Sequence, residues 1–171
     1  SYNWSSLING ISGAGRISLF DTEGFKCKVA CEVPLGDGSN GTFNAEQWIE
    51  KKEIKKLDEF IQFSMAACEQ AFIESGLIID DELALSSGCI IGSGIGGLPG
   101  IERTSVAFNR HESKVSPFFI TGRLVNMAAG FASIKYNLKG GNYATVSACA
   151  SGAHAIGESI RLIQRGQSKI M

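Results

Sequence analysis

Apolar and small residues recur every three or four positions from 55 to 74, the most regular pattern in the chain. The spacing predicts an amphipathic helix with one wide buried face, which Gly76 is placed to end. A second helix is predicted over 116–136, because a Ser-Pro pair at its start combines a serine N-cap with proline at the first helical position. A third helix is predicted over 151–164, with Gly166 as its C-cap.

Short apolar segments between these helices predict strands at 87–91 and 143–147. Residues 4–8 are typical of the end of a helix, and the glycine-rich stretch 11–43 predicts irregular structure with short strands. Because strands alternate with helices, we expect an α/β fold with a mainly parallel sheet. Two core strands are fewer than the usual four to six or so, which predicts that the sheet is incomplete within residues 1–171.

Composition narrows the classes of function. A formal net charge of −1 argues against nucleic acid as a partner, because phosphate binding needs a basic excess. No apolar run reaches the roughly 18 residues of a membrane span, and the first residues lack the pattern of a signal peptide. The five cysteines are scattered and odd in number, which favours a reducing cytoplasm over a disulfide framework. Cys27 and Cys31 have no second ligand pair nearby, so no metal site is predicted.

The segment IGSGIGG at 91–97 matches the pattern G-x-G-x-x-G directly after a predicted strand. A dinucleotide site would need a long helix opening there, and an acidic residue about twenty positions further on. Pro99-Gly100 disfavours such a helix, and the acidic residue is absent. The glycines therefore predict a close approach of the backbone to a neighbouring group.

Cys149 lies where the predicted strand gives way to the predicted helix at 151–164, and small residues follow it. Small residues allow a sharp strand-to-helix elbow that projects one side chain, as in nucleophile elbows built on serine. The amide groups of the helix start would face the sulfur and favour the reactive thiolate. From the local sequence, a buried structural cysteine is an equally good interpretation.

Neither histidine is placed as a base for this cysteine. His154 points away from Cys149 around the predicted helix, which favours a structural role packed beneath that helix. His111 lies in a polar stretch and is predicted to be an exposed loop residue.

Three lysines share one face of the first predicted helix, opposite its apolar residues: Lys52, Lys55 and Lys56. Their spacing alone favours an ordinary solvated face. A small basic patch of this kind could also dock an acidic partner.

Four segments together resemble the elongating β-ketoacyl-acyl-carrier-protein synthases of bacterial type II fatty acid synthesis. They are KKLDEFIQFSMAACEQAF, IGSGIGGL, SPFFITGRLVNMAAG and YNLKGGNYATVSACASGAHAIGESIRLIQRG. The resemblance covers essentially the whole chain and implies an incomplete N-terminal half of a thiolase-like fold. Two departures are small: Gly141 replaces a common proline, and Ser113 replaces a common basic residue.

The resemblance implies a decarboxylative Claisen condensation that needs no cofactor. Cys149 would take the growing acyl chain from acyl carrier protein as a thioester. Malonyl-acyl-carrier-protein would lose CO2, and its carbanion would attack that thioester to give a 3-oxoacyl product. The interpretation from the residues agrees, because an elbow thiolate is a good acyl acceptor and its own N–H is placed as half of an oxyanion hole.

The resemblance also implies roles for other positions. Ile95 would line the acyl pocket, and Phe119 would reach the same pocket from the other subunit of a homodimer. The docking patch for the acidic carrier protein would comprise Lys52, Lys55, Lys56 and Lys114.

Further parts of the family's fold would lie outside residues 1–171. An opening strand would precede Tyr2, and the next strand would begin at Ile170-Met171. Two histidines that activate the malonyl substrate, and the second oxyanion donor, would lie in a C-terminal half. We therefore expect that this chain alone neither folds stably nor condenses acyl groups. Two alternatives stay open: a non-catalytic partner subunit in a condensing-enzyme heterodimer, which would generally lack the cysteine, and a coenzyme A-dependent thiolase.

Overall fold

The computed structural model describes residues 2–112 and 114–171, and the chain forms two compact units that divide after Gln47. The first unit begins with helix α1 (Tyr2–Ile8), which ends in a turn where Gly10 has a φ of +65°. Strands β1 (Gly15–Arg16) and β2 (Val29–Ala30) pair antiparallel, and most of the remainder is irregular. The prediction of an early helix followed by irregular chain with short strands is confirmed.

The helix predicted over 55–74 is divided in the second unit. Helix α2 (Lys51–Ile54) is followed by turns, and α3 (Glu59–Ser75) begins only after Asp58. Asp58 is extended, with φ −73° and ψ 159°, and its carboxylate accepts the Glu59 N–H as the N-cap of α3. Gly76 ends α3 with a φ of +62°, as predicted.

Two helices were missed by the periodicity analysis, α4 (Asp81–Leu85) and α5 (Leu98–Asn109). The expectation that Pro99-Gly100 disfavours a long helix is wrong. Proline lies in the first turn of α5, where its missing N–H removes no helical hydrogen bond. Helix α4 is short and depends on Asp80, whose carboxylate accepts the Leu83 N–H at 2.8 Å.

Helix α6 (Met127–Tyr136) ends where predicted but begins well after Ser116. The Ser116 hydroxyl does accept the Phe118 N–H at 3.2 Å, as a capping serine would. The chain nevertheless continues in turns, because the Gly122 carbonyl accepts a hydrogen bond from the distant Asp58 N–H instead of serving a helix. The predicted start of this helix is therefore wrong.

Helix α7 (Ser151–Gln164) has the predicted bounds. Arg165 is its C-cap, and Gly166 follows with a φ of +69°, so the glycine does serve the end of the helix as predicted.

A short parallel sheet joins β3 (Cys89–Ile90) and β4 (Asn142–Tyr143). Both strands are shorter than the predicted segments 87–91 and 143–147. A further parallel bridge connects Ser87 with Ile170. Because α6 packs on both strands and α7 packs on β3, the predicted α/β class with parallel pairing is confirmed.

The core of the second unit lies where α3 packs on α6. Its buried apolar side chains are Leu57, Ile61, Met65, Ala128 and Ala132. The other buried apolar residues of the described chain are mostly alanine. Helix α7 instead exposes Ile156, Ile160 and Ile163. Among the helices described, none has both the length and the apolar content needed to cross a membrane.

Residues 1–171 expressed alone are expected to unfold without a cooperative transition. A core rich in alanine buries little apolar surface, and burial contributes only about 25 cal/mol for each Å² removed from water. Differential scanning calorimetry and circular dichroism melting of the isolated segment test this expectation. A sharp transition with equal calorimetric and van't Hoff enthalpies would contradict it.

Candidate active site

Cys149 lies in a strained, exposed turn between β4 and α7. The preceding residue, Ala148, has a φ of +49°, in the left-handed region that residues with a Cβ rarely adopt. Cys149 is the middle residue of a 3-10 turn (Ala148–Ala150), and α7 begins directly after that turn. The chain thus forms a tight elbow with an exposed thiol immediately before a helix N-terminus.

Side-chain hydroxyl groups hold the two sides of this elbow together. The buried Ser151 Oγ accepts the Ser147 N–H at 2.8 Å and donates to the Ala148 carbonyl at 2.7 Å. Thr145 Oγ1 donates to the Ser151 carbonyl at 2.8 Å. Because these bonds bracket Cys149, they help to maintain the left-handed conformation of Ala148. No pattern in the local sequence predicts this role for Ser151 and Thr145.

The histidines occupy different environments. His154 is exposed, and its Nδ1 lies 2.6 Å from the Ser147 hydroxyl, so the expectation that it packs beneath α7 is wrong. The imidazole instead contacts the residue that enters the elbow. His111 is exposed just after α5 with a φ of +58°, as expected for a loop residue.

The glycine segment 91–97 packs directly against the elbow. A Cβ on Gly92 would lie 2.2 Å from the Ser151 carbonyl oxygen, and a Cβ on Gly94 would lie 3.3 Å from that of Ala148. The Ser93 N–H donates to the Thr145 carbonyl at 3.2 Å. The glycines therefore allow close backbone contact, as the sequence predicts, and the group they approach is the elbow that carries Cys149.

Ile95 and Phe119 occupy two separate segments near the glycines. Ile95 is 67% exposed at the tip of the glycine segment. Phe119 is partly buried in the turns before α6, where its N–H donates to the Ser116 carbonyl at 3.0 Å. A cleft of 530 Å³ elsewhere on the second unit includes neither residue and is lined mainly by the segment 48–57 and by α6. Contact of either residue with an acyl chain stays a prediction.

The predicted lysine patch has a different geometry from the expected helix face. Lys52 belongs to α2 and Lys55 is its C-cap, whereas Lys56 lies in the turn that follows. Lys56 is half-buried, bonds Glu53 at 2.7 Å and lies 4.6 Å from the centre of the Phe118 ring. The expectation of one shared helix face is therefore wrong, because Asp58 interrupts the helix after these residues.

The other three lysines of the predicted patch, Lys52, Lys55 and Lys114, have side chains exposed to solvent. Lys52 lies 2.6 Å from Glu50, and this hydrogen bond raises the pKa of Lys52. Lys114 is exposed. Within the described ranges, Lys55 and Lys114 make no ion pair, and Ser113 lies outside those ranges. Of the four lysines predicted to form the patch, Lys52, Lys55 and Lys114 are therefore exposed, and Lys52 is paired with Glu50.

Two other cysteines, Cys68 on α3 and Cys89 on β3, contact each other. The hydrogen bond from Cys89 lowers the pKa of Cys68, whereas the same contact and burial hold the pKa of Cys89 far above its usual range. Cys89 therefore remains a thiol at physiological pH and is a poor nucleophile. No cluster of three or more potential metal ligands occurs in residues 2–112 and 114–171.

Comparison of the sequence with known protein families identifies the family to which this chain belongs. A sequence model of the family described as "Beta-ketoacyl synthase, N-terminal domain" matches residues 1–171, so the chain belongs to the β-ketoacyl synthase family. It is 45% identical over 171 residues to 3-oxoacyl-[acyl-carrier-protein] synthase 2 of Rhizobium meliloti, covering 99% of this chain and 41% of that protein. The protein of the same name in Coxiella burnetii is 41% identical over 169 residues, covering 98% of this chain and 39% of that protein. The chain thus spans about two fifths of the length of these curated relatives.

Solved ketosynthase structures share the fold, which is thiolase-like. A β-ketoacyl synthase from Burkholderia phymatum matches with a TM-score of 0.74 and 22% identity, covering 96% of this chain and 40% of that one. A type II polyketide ketosynthase, solved with its acyl-carrier protein, matches with a TM-score of 0.67 and 25% identity. That match covers 74% of this chain and 37% of the ketosynthase chain.

Replacing Gly92 with alanine is expected to destabilise the elbow. The added methyl group would meet the Ser151 carbonyl, which belongs to rigid backbone, so we expect a cost of about 1–3 kcal/mol. Urea denaturation of the complete natural protein measures the loss, and the rate of iodoacetamide labelling at Cys149 reports the local geometry. Gly130→Ala is the matched control, since its Cβ would make only ordinary contact with Met127. Equal stabilities of Gly92→Ala and Gly130→Ala would contradict this packing.

Proposed function

We propose that this chain carries the acyl-accepting nucleophile of a 3-oxoacyl-acyl-carrier-protein synthase that elongates fatty acids. The observation that carries the proposal is the exposed thiol of Cys149, in a strained elbow immediately before α7. The names of the curated relatives support the same activity. The presence of the cysteine disfavours a non-catalytic partner subunit.

The proposed reaction proceeds in two stages. The Cys149 thiolate attacks the thioester carbonyl of an acyl-acyl-carrier-protein, forming a carbon–sulfur bond and releasing the carrier thiolate. The bond between the malonyl α-carbon and its carboxylate then breaks, releasing CO2. The electron pair of the broken bond stays on the α-carbon and forms a carbon–carbon bond to the acyl carbonyl carbon. The Cys149 thiolate then leaves. The product is a 3-oxoacyl-acyl-carrier-protein.

Backbone geometry suits stabilisation of the tetrahedral intermediate. The N–H of Cys149 is proposed as one donor to the oxyanion, because the 3-10 turn fixes this amide directly before α7. The second donor and the histidines for decarboxylation are proposed to belong to a C-terminal half of the complete enzyme. The complete enzyme is proposed to be a cytoplasmic homodimer in which each acyl pocket is lined by Ile95 of one subunit and Phe119 of the other.

The proposed partner is an acidic acyl carrier protein. The segment 50–56 carries four lysines and two glutamates, and Lys114 adds an exposed charge on a separate segment. Charges of this kind accelerate encounter with an oppositely charged partner. Lys52, Lys55 and Lys114 are the exposed members of this docking patch, and Lys56 supports it through Glu53 and Phe118.

Cys149→Ala is expected to abolish elongation, because no sulfur remains to form the acyl thioester. Incubation of the complete natural protein with acyl-acyl-carrier-protein, followed by peptide mass spectrometry, should find the acyl group on Cys149. Cys27→Ser is the control, since Cys27 is also exposed but lies in the first unit. Full elongation by Cys149→Ala, or acylation of another cysteine, would refute the proposal.

Lys55→Glu is expected to raise KM for the carrier-protein substrate by about tenfold with a smaller effect on kcat, because the change repels an acidic partner. The effect should shrink as salt screens the charges. Steady-state kinetics at low and high ionic strength measure both effects. Lys28→Glu, an exposed charge reversal in the first unit, is the control. The same KM increase in both variants would argue against a docking patch at Lys55.

A further inference from the structure

Asp58 is a buried carboxylate at the point where three segments meet. Its side chain is 3% exposed, and Oδ2 accepts the Gly100 N–H of α5 at 3.0 Å. Oδ1 accepts the Glu59 N–H at 3.2 Å, and the Asp58 N–H donates to the Gly122 carbonyl at 3.1 Å. One residue therefore connects the start of α3, the first turn of α5 and the turns that precede α6.

Arg123 provides the opposite charge. Its Nε lies 3.5 Å from Asp58 Oδ2, and its Nη1 donates to the Lys56 carbonyl at 3.2 Å. Arg103 reaches Oδ1 at 3.6 Å from the exposed side. The Asp58 carboxylate is thus paired with guanidinium groups and hydrogen-bonded to two backbone N–H groups, whereas the buried Arg123 Nε makes no hydrogen bond within the described part of the chain. Removal of one partner of a buried ion pair leaves the other charge without compensation.

The segments around Asp58 approach so closely that glycine is required. A Cβ on Gly100 would lie 2.1 Å from Arg123 Nε and 2.4 Å from Asp58 Oδ2. A Cβ on Gly122 would lie 1.9 Å from the Lys56 carbonyl oxygen. These contacts leave no room for the segments to shift independently.

The same contacts extend to the two proposed pocket residues. Ile95 lies between Ser93, whose N–H is bonded to Thr145, and Gly97, whose N–H donates to the Arg123 carbonyl at 3.0 Å. Phe119 lies in the turns that end at Arg123. Asp58 thus reaches the segment of Ile95 through Gly100 and the segment of Phe119 through Arg123.

We propose that Asp58 is a positioning residue for the acyl pockets of the proposed homodimer. Through Gly100 it holds the segment of Ile95, which lines the pocket of its own subunit, and through Arg123 it holds the segment of Phe119, which reaches the pocket of the other subunit. The inference rests on the proposed function and deepens it, because it assigns a basis for chain-length selectivity to a residue that does not itself touch substrate. Asparagine at this position keeps the shape but removes the charge opposite Arg123. A looser pocket wall penalises a long acyl chain, which contacts the wall, more than a short one.

The test compares Asp58→Asn with wild type in the complete natural protein. The probes are four-carbon and twelve-carbon acyl-acyl-carrier-proteins, and the measurement is kcat/KM for each donor. We expect the ratio of the twelve-carbon to the four-carbon value to fall about tenfold, which is less than the roughly hundredfold loss that a misplacement of about 1 Å can cause. Iodoacetamide labelling of Cys149 should keep its wild-type rate. Glu59→Gln, which removes the exposed acid next along α3, should leave both measurements unchanged.

Arg123→Lys is the second variant. Lysine keeps the positive charge but lacks the guanidinium group that contacts both Asp58 and the Lys56 carbonyl. If Asp58→Asn does not accumulate as folded protein, Arg123→Lys decides the test with the same expected fall in the ratio. An unchanged ratio, or an equal loss for both donors together with slower Cys149 labelling, would overturn the positioning role. Wild-type protein that elongates neither donor would instead refute the proposed function.

Discussion

The ion pair between Asp58 and Arg123 lies where the segments around the candidate site of the second unit meet. A carboxylate removed from water needs both opposite charge and hydrogen-bond donors, and Asp58 obtains them from segments distant in the sequence. Each segment must therefore approach closely, which explains glycine at Gly97, Gly100 and Gly122. An apolar side chain at position 58 could fill the space, but it could not bind the Gly100 N–H or face the guanidinium group. The polar contact thus defines which segments meet as well as contributing to stability.

The glycine segment lies between the contacts around Asp58 and the elbow. Its later glycines pack against Arg123 and Asp58, whereas Gly92 and Gly94 pack against Ser151 and Ala148. The glycine segment is consequently packed at both of its ends. Ile95 lies between these two sets of contacts, at the tip of the segment. On the elbow side, Ser151 adds hydrogen bonds that stabilise the left-handed Ala148. The strain of that conformation is tolerated because surrounding contacts determine it, and its result is a single exposed thiol.

Local sequence signals predicted some elements well, and long-range contacts explain the errors. Helix α7, the glycine that ends α3 and the elbow at Cys149 depend on neighbouring residues, so periodicity and small side chains are sufficient to find them. The start of α3 depends on Asp58, whose partners lie far along the chain, and the turns before α6 persist because Gly122 bonds that same residue. Helix α5 contradicts the expectation drawn from Pro99-Gly100, because proline in a first turn removes no helical hydrogen bond. The Ser147–His154 contact has no signal in the sequence, since it requires the elbow geometry first.

Of the two stages of the proposed reaction, the arrangement around Cys149 would suit acyl transfer to sulfur better than decarboxylation. An exposed thiol before a helix start needs only an approaching thioester and a donor for the oxyanion. Decarboxylation of a malonyl group needs further groups that stabilise negative charge on its thioester carbonyl as the carbanion forms. Within residues 2–112 and 114–171 the two imidazoles do not provide such a pair, because His154 bonds Ser147 and His111 follows α5 in an exposed turn. In the proposed reaction, the acyl-accepting stage would therefore use the elbow, and the decarboxylating stage would use groups that the two imidazoles do not provide.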